Sequence, residues 1–505
     1  MGRGNDFQYD NSAYTGEKKE EPEPKIAESK RNGHDPSDPE SQPDTTVTVP
    51  MSKRERWRII KNVVAISFSF MCLFTAFQSM SNLQSSINSE EGLGTASLAT
   101  IYGALIASCM FMPSLIIKRL TCKWAMVVCT FCYSLYMLAQ FHPRKYTLIP
   151  AAIILGFGAA PMWSAKCTYL TQVGKLYAEI IQDASEPVIV KFFGIFFLLF
   201  QSSQIWGNLI SSLVLSPGLG EGASSPSEDS LAICGINYCP GVEIASNNTN
   251  LQRPSTTKIF TLAGIFLGLA VASSILIAVF VDSLRRYGED DRGNNKENKT
   301  PVQLLLATFY HLRKKYQLLI IPLTLWSGFE QGFFTADFTK AYVSCAWGIH
   351  RVGFVMITYG VCDAICSFSF GFVIKRVGRV PIFALGALIN YGVIITFIHW
   401  KPRPDEPYVF FILAALWGVA DAVWQTQINA LYGVIFPNTA EAAFSNYRLW
   451  ESLGFAISFA IANYLCIDAK LYILLFVLTT GMLGYLAVEM LERRKTKGEL
   501  TITRD

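Results

Sequence analysis

Long apolar runs alternate with short polar segments along most of this 505-residue chain. Each run has or approaches the roughly 20 residues that a helix needs to cross about 30 Å of hydrocarbon. Six runs precede and six follow the strongly charged segment 282–315. The pattern predicts an all-α, polytopic membrane protein with twelve transmembrane helices in two six-helix bundles. The predicted spans are 62–83, 94–117, 124–141, 148–173, 188–215, 259–281, 318–338, 353–374, 380–399, 408–436, 444–466 and 471–490.

The polar segments divide the chain into five parts. Residues 1–50 are rich in Glu, Lys, Pro and Ser and are predicted to be a disordered cytoplasmic tail. The first bundle is predicted to occupy residues 51–281 and to contain an extracellular loop at 216–258. A cytoplasmic central loop at 282–317, a second bundle at 318–490 and a cytoplasmic tail at 491–505 follow.

Basic residues concentrate on one predicted side of the membrane. The loops on the other side are poor in cations: residues 84–93 have none, and residues 216–258 have only Arg253 and Lys258. Because cationic loops stay on the cytoplasmic side, both termini are predicted to be cytoplasmic. The cations of the predicted inner loops are Lys118, Arg119, Lys123, those within 285–315, Lys375, Arg376, Arg379 and those within 493–497.

Composition excludes several classes of function. The chain is 51% hydrophobic and 16% charged, whereas an average soluble protein has about 25% charged residues. A net charge of +4 is too small to indicate a nucleic-acid partner. The long apolar runs make the lipid bilayer the predicted partner. With five histidines, no P-loop motif and no His/Cys cluster at metal-ligand spacing, we predict no enzymatic activity, no metal and no cofactor.

The predicted extracellular loop carries two candidate covalent features. The tripeptide Asn247-Asn248-Thr249 is an acceptor for N-glycosylation, so Asn247 is the predicted site. Cys234 and Cys239 lie in the same loop and can close a small disulfide in an oxidising compartment. Two free thiols are the alternative.

Charged and amide side chains lie inside several predicted spans, where burial is costly and usually marks a cavity or a partner. Glu330 has Gly328 and Gly332 on either side, a spacing that lets helices approach closely. One interpretation is a polar central cavity whose carboxyl groups, removed from water, bind protons. The other is a set of structural ion pairs, for example of Lys166 with a carboxylate of the other half. The candidate cavity residues are Lys166, Gln201, Gln204, Glu330, Asp363, Asp421 and Glu451.

The two halves of the chain contain an internal repeat. SLIIKR after the second run aligns with GFVIKR after the eighth, at an offset of 371 − 114 = 257. The fourth and tenth runs align at 416 − 155 = 261, and the fifth and eleventh at 450 − 200 = 250. Nearly constant offsets in one order predict duplicated six-helix halves. Parallel repeats of this kind are the arrangement of the major facilitator superfamily.

The loop at 371–379 (GFVIKRVGR) resembles the signature of that superfamily between the second and third helices of a half. The superfamily pattern has an Asp before the basic pair, where this chain has Ile374, so the match is partial. A latch between two states is the functional interpretation, and a tight cation-rich turn is the alternative. The candidate latch residues are Gly371, Lys375, Arg376, Gly378 and Arg379.

Four stretches together resemble one family: 158–178 (GAAPMWSAKCTYLTQVGKLYA), 192–212 (FFGIFFLLFQSSQIWGNLISS), 327–345 (SGFEQGFFTADFTKAYVSC) and 444–455 (FSNYRLWESLGF). They are similar to the uncoordinated-93-like proteins, a divergent branch of the major facilitator superfamily, and the resemblance covers about residues 51–490. It implies twelve helices in two bundles and no known substrate. Family members are associated with regulating two-pore-domain potassium channels in invertebrate muscle and with escorting endosomal Toll-like receptors in vertebrates.

Three hypotheses of function follow. The resemblance implies an accessory regulator of potassium channels, and so of potassium homeostasis and membrane potential, with a two-pore-domain channel as its partner in the plasma membrane. The carboxylates and the repeat favour a proton- or ion-coupled secondary transporter of an unknown small substrate. The third hypothesis is a trafficking escort for membrane receptors. Only the resemblance ranks the first above the second, because a transporter fold that no longer transports keeps its cavity.

Overall fold

The computed structural model describes residues 53–183, 185–216, 231–241, 248–287, 310, 312–436 and 440–502. These residues form helices, short turns and connections, and no strand occurs among them. The helices are α1 (Lys53–Ile87), α2 (Leu93–Ala139), α3 (Lys145–Ile181), α4 (Ser185–Leu215), α5 (Thr256–Phe280), α6 (Lys315–Phe333), α7 (Val352–Val377), α8 (Arg379–His399), α9 (Pro407–Ile435), α10 (Ala440–Ile461) and α11 (Ile467–Ile502).

Two of these helices are irregular. The α2 helix breaks at Thr121 and therefore makes two passages of membrane length. The α6 helix continues as a π-helix over Phe334–Ser344 and ends in one α-turn, Cys345–Trp347. The described part of the chain thus contains twelve helical passages, a number consistent with the twelve predicted spans.

Ten of the twelve passages are long and apolar enough to cross a membrane by composition alone. The two others are α6 with its π-helical continuation and α10. The α6 passage carries Glu330 and Asp337, and α10 carries Arg448 and Glu451. Protein surrounds these two helices on most sides, so their polar residues do not have to meet lipid.

The helices form the two bundles predicted for the fold. In the first bundle α1 packs against α4 and α5, and α2 against its neighbour α3. In the second, α6 packs against α10 and α11, and α7 against α9. The bundles meet where α2 faces α10, where α4 faces α7 and where α1 faces the π-helical part of α6.

Glycine allows α6 and α10 to approach closely. A Cβ atom added to Gly328 would collide with the carbonyl oxygen of Glu451, and one added to Gly454 would collide with that of Leu325. The backbones of the two helices are therefore in direct contact around the middle of the membrane. This close approach agrees with the spacing of glycines beside Glu330 in the sequence.

Two disulfides join the long loop of the first bundle to the second bundle. Cys234 pairs with Cys345, and Cys239 pairs with Cys466. The prediction of a disulfide between Cys234 and Cys239 is therefore wrong, and so is the alternative of two free thiols. The short 3-10 turn Gly235–Asn237 separates the two loop cysteines, and each thiol meets a separate partner on the second bundle.

We call residues 231–241 the outer strap. The end of the molecule that the strap covers is called the outer end, and the opposite end is called the inner end. The strap lies on the second bundle, where the amide of Ile467 donates a hydrogen bond of 2.9 Å to the carbonyl of Tyr238. The predicted glycosylation site Asn247 lies outside the described residues. The predicted N-terminal tail and most of the central loop lie outside them too.

The two bundles touch near the outer end and diverge toward the inner end. Arg448 lies seven residues before Phe455 on the same face of α10, yet its side chain is 59% exposed. The inner end is therefore the open end. The contacts near the outer end include Ser86 with Ser344 (Oγ to Oγ, 3.0 Å), Thr95 with Asn463 (Oγ1 to Oδ1, 2.8 Å) and Tyr102 with Phe455 (ring centroids, 4.4 Å).

Both bundles contain the same backbone break at the inner end. Gly378, between α7 and α8, has a φ of 77° and a ψ of 176°. Thr121, within α2, has a φ of 70° and a ψ of 163°. The positions differ by 378 − 121 = 257, the offset at which SLIIKR aligns with GFVIKR. Glycine adopts this conformation readily, whereas other residues are strained by about 1–3 kcal/mol.

Replacing the strained threonine should stabilise the protein. Thr121→Gly removes that strain, and the greater freedom of glycine in the unfolded chain offsets about 0.5–1 kcal/mol of the gain, leaving about 1 kcal/mol. Gly378→Ala introduces the strain and should destabilise by about 1–2 kcal/mol. Thermal midpoints in detergent micelles measure both effects. The control is Gly392→Ala, within α8 and with open space around the added Cβ. Midpoints for the first two variants no different from that of wild type would contradict the assignment.

The disulfides make a second prediction about the two bundles. A protease site inserted within residues 288–309 allows the chain to be cut between them. The two fragments should stay joined in a non-reducing denaturing gel and separate on reduction, because each disulfide has one cysteine on each side of the cut. Cys234→Ser should leave the fragments joined, and Cys234→Ser with Cys239→Ser should free them. Fragments of the wild type that separate without reductant would show that the pairing is different.

Candidate functional site in the membrane interior

Three carboxyl groups from three helices of the second bundle lie close together. They belong to Glu330 of α6, Asp363 of α7 and Asp421 of α9, which are 0%, 8% and 2% exposed. Both Glu330 and Asp363 interact electrostatically with Asp421. We call these three residues the acidic cluster. With Gln201, which donates a hydrogen bond to Asp363, the structure brings together four of the seven candidate cavity residues.

The local sequence explains why these side chains converge. Tyr359 and Asp363 lie four residues apart on α7, and Trp417 and Asp421 lie four residues apart on α9, so each pair occupies one helix face. Phe334, the first residue of the π-helix, fills the space between the helices. Its ring lies 5.1 Å from that of Tyr359 and 5.2 Å from that of Trp417, measured between centroids.

The three carboxyl groups differ in their hydrogen bonds. Asp363 accepts one from the Gln201 amide (3.3 Å) and one from the Ser367 hydroxyl (3.1 Å). Asp421 Oδ2 accepts one from the Tyr359 hydroxyl (2.5 Å), while its Oδ1 has no partner. Neither carboxyl oxygen of Glu330 has a partner. Donors that stabilise a negative charge are therefore plentiful at Asp363 and lacking at Glu330.

Two of the candidate glutamines lie on α4 of the first bundle. Gln201 reaches Asp363 and so links the acidic cluster to the other bundle. Gln204 accepts a hydrogen bond from the Asn208 side chain (3.0 Å), and Asn208 accepts one from Asn82 of α1 (3.0 Å). Gln204 is therefore part of a network within the first bundle.

Lys166 lies apart from the carboxylates, among aromatic rings. Its side chain is buried, and its Nζ lies 4.2 to 5.2 Å from the centroids of four rings. Cation–π attraction stabilises an ammonium group in such a position. The sequence left open an ion pair between Lys166 and a carboxylate of the other half. No such pair is among the described contacts of Lys166. The four rings belong to Trp163, Phe193, Phe196 and Phe197.

Glu451 forms a local ion pair on α10. It accepts hydrogen bonds from Arg448 Nη1 (2.6 Å) and from the Tyr447 hydroxyl (2.9 Å). Its side chain is 7% exposed, whereas that of Arg448 is 59% exposed toward the open inner end. The negative charge of Glu451 is therefore already compensated.

The predicted latch lies at the inner end of the second bundle. Arg379 pairs with Glu489, so this contact joins α8 to α11 within one bundle. Gly371, Lys375 and Arg376 lie near the end of α7, and Gly378 forms the break described above. A role of these residues in holding two states apart stays a prediction.

A buried ion pair near the outer end was missed by the sequence analysis. Lys470 Nζ donates a hydrogen bond of 2.7 Å to Asp337 Oδ1, and the two side chains are 3% and 8% exposed. The predicted last span begins at residue 471, which placed Lys470 in a loop. The partners Tyr359, Ser367 and Trp417 were also missed, although four-residue spacing from an acidic residue was the available signal for each.

A cavity of about 740 Å³ lies at the outer end, beneath the strap. Both bundles contribute to its walls, for example through Glu90 and Asn463, and Tyr238 of the strap adds to them. None of the seven candidate cavity residues lines it. The acidic cluster is instead enclosed by packed helices, and a continuous polar cavity around it stays a prediction.

The sequence of this chain was compared with those of known proteins. Residues 84–486 match the family described as ion channel regulatory protein UNC-93. Protein unc-93 homolog A of Xenopus laevis is 48% identical over 444 residues, which make up 88% of this chain and 96% of that protein.

This chain belongs to the UNC-93 family. Another UNC-93 relative, from Caenorhabditis elegans, is named as a potassium channel regulatory protein. It is 35% identical over 435 residues, which are 86% of this chain and 61% of that protein. The resemblance found in the sequence is confirmed. As a member of a family of channel regulators, the chain is not an enzyme, in agreement with the sequence analysis.

Solved transporter structures share the fold of this UNC-93 protein. The nucleoside transporter NupG has a TM-score of 0.55 at 13% identity and covers 85% of this chain and 99% of its own. The transporter PepTSo2 has a TM-score of 0.56 at 11% identity and covers 86% and 99%. Identities this low show the fold alone. They confirm a multi-pass membrane protein with the major facilitator fold.

Neutralising Lys166 should change stability little. Lys166→Met removes the cation–π attraction, about 0.5–2 kcal/mol per ring, but also the desolvation cost of an ammonium group, several kcal/mol. These effects nearly cancel, so we expect the thermal midpoint to stay close to that of the wild type. The matched control is Lys470→Met, which strands Asp337 and should destabilise by about 3–5 kcal/mol. A loss of that size for Lys166→Met would reveal a carboxylate partner.

Proposed function

We propose that this protein is an accessory regulator of potassium channels that acts by contact within the plasma membrane. The observation that carries the proposal is the closed, cross-linked outer end. The family and the name of the C. elegans relative support a channel as the partner. The resemblance found in the sequence favours the two-pore-domain class.

A carrier of this fold opens its central site to each side in turn, by rocking one bundle against the other. Opening the outer end here requires breaking the contacts between Ser86 and Ser344 and between Thr95 and Asn463. At the same end, two disulfides hold the outer strap on the second bundle. These restraints favour one dominant conformation. They count against the proton- or ion-coupled carrier that the buried carboxylates favoured.

The orientation of the protein follows from the same end. Disulfides persist in oxidising compartments, so we place the outer strap outside the cell. The cation-rich turns at Arg119 and Arg376 lie at the opposite end, as expected of the cytoplasmic side. With the outer strap outside the cell, we infer that both termini are cytoplasmic.

The outward faces of the peripheral helices offer surfaces for a channel helix. Ile275 of α5, Leu388 of α8 and Leu483 of α11 are 55%, 68% and 61% exposed. They are apolar and face lipid in the absence of a partner. A contact on one of these faces needs no opening of either end of the protein.

Co-expression with a two-pore-domain potassium channel tests the proposal. We expect the current per channel at the cell surface to change by several-fold and the two proteins to co-purify. A change only in the number of surface channels would indicate a trafficking escort instead. An unchanged current without co-purification would overturn the proposal.

Variants on the outward faces sharpen this experiment. Ile275→Trp, Leu388→Trp and Leu483→Trp each add bulk to one face without touching the interior. If one face receives the channel, one variant should lose both co-purification and the effect on current. The other two serve as its matched controls.

A further inference from the structure

Glu330 is a buried acid for which channel regulation provides no use. It is 0% exposed, and both of its carboxyl oxygens lack hydrogen-bond partners. Beside it, Asp421 Oδ1 is also buried without a partner. A charged carboxylate in such a place would lack both water and donors, which is costly in a medium of low dielectric.

Trp417 supplies an independent observation. Its side chain is 0% exposed, and its Nε1–H, a hydrogen-bond donor, has no acceptor. The indole interacts with Glu330. Near the Glu330 carboxyl, the interior therefore holds an unused donor, Trp417 Nε1, and an unused acceptor, Asp421 Oδ1.

We propose that Glu330 and Asp421 hold one exchangeable proton between them, carried by Glu330. The Glu330 hydroxyl then donates to Asp421 Oδ1. A single proton thus gives a partner to two buried atoms that otherwise have none, one carboxyl oxygen of Glu330 and Oδ1 of Asp421. The ligand of this site is a proton, and the proposal does not depend on the identity of the channel.

The surrounding charges favour this assignment. From α7, Tyr359 donates to Asp421, while Asp363 accepts from Gln201 and Ser367. Two ionised carboxylates side by side in a medium of low dielectric would repel each other strongly. Retention of one proton removes that repulsion.

The helices α10 and α11, which pack against α6, bring no free cation to the pair. On α10, Glu451 accepts hydrogen bonds from Arg448 and from the Tyr447 hydroxyl. On α11, Lys470 is bonded to Asp337 near the outer end. Within the described part of the chain, the three carboxyl groups of the acidic cluster do not form a group that could hold a metal ion.

Infrared spectroscopy of the purified protein tests the proposal. At about pH 7, a carboxyl group of the unfolded chain has released its proton, so the carbonyl band of a protonated carboxyl should mark the buried pair. We expect this band in wild type and its loss in Glu330→Gln. The control Glu90→Gln changes an exposed carboxylate and should keep the band. A wild type without the band, or a band lost in Asp421→Asn but kept in Glu330→Gln, would overturn the assignment.

A second measurement uses the wild type alone. Unfolding the wild type in a strong detergent at about pH 7 should release about one proton per molecule. Folded Glu330→Gln does not hold this proton and should not release it. Because the amide of glutamine can donate to Asp421 as a protonated carboxyl does, Glu330→Gln should fold with a thermal midpoint at least equal to that of the wild type. Absence of proton release from the wild type would overturn the proposal even if the variant failed to fold.

Discussion

Hydrocarbon cannot satisfy a hydrogen-bonding group, and this constraint governs the whole molecule. The backbone meets it by folding into helices throughout the described spans. Polar side chains meet it in local arrangements: aromatic rings surround Lys166, Lys470 compensates Asp337, and Arg448 compensates Glu451. Glu330 stands out because protein atoms alone leave both of its oxygens unsatisfied. The least satisfied group in the interior is therefore the one most in need of a ligand.

The two bundles share a backbone plan but differ in chemistry. The break at Thr121 and the break at Gly378 are related by the same offset as the surrounding sequence. The interior of the first bundle is lined by aromatic rings, with a lysine among them, whereas that of the second holds carboxyl groups. Gln201 spans the boundary by donating to Asp363. Duplication thus fixed the frame, and side-chain divergence placed the buried carboxyl groups in the second bundle.

Sequence periodicity predicted the parts of the structure that depend on local composition. The twelve passages and the close approach of α6 and α10 at Gly328 both follow from residue types and short spacings. The disulfide partners of Cys234 and Cys239 could not be predicted from short spacings, because they are 111 and 227 residues away in the chain. The aromatic surroundings of Lys166 were likewise hidden, since rings from α4 reach it only after the helices pack. Pairings across the fold need coordinates, whereas the spans do not.

The outer strap has a consequence for how the protein is made. Cys234 and Cys239 leave the ribosome long before Cys466, which follows nearly all of the spans. During that interval the two early thiols lie a few residues apart in an oxidising lumen, where a non-native bond between them can form before the native ones. Such a bond has to be exchanged after the last helices have been inserted, a step that takes seconds to hours. Cells poor in disulfide isomerase should accumulate the trapped form.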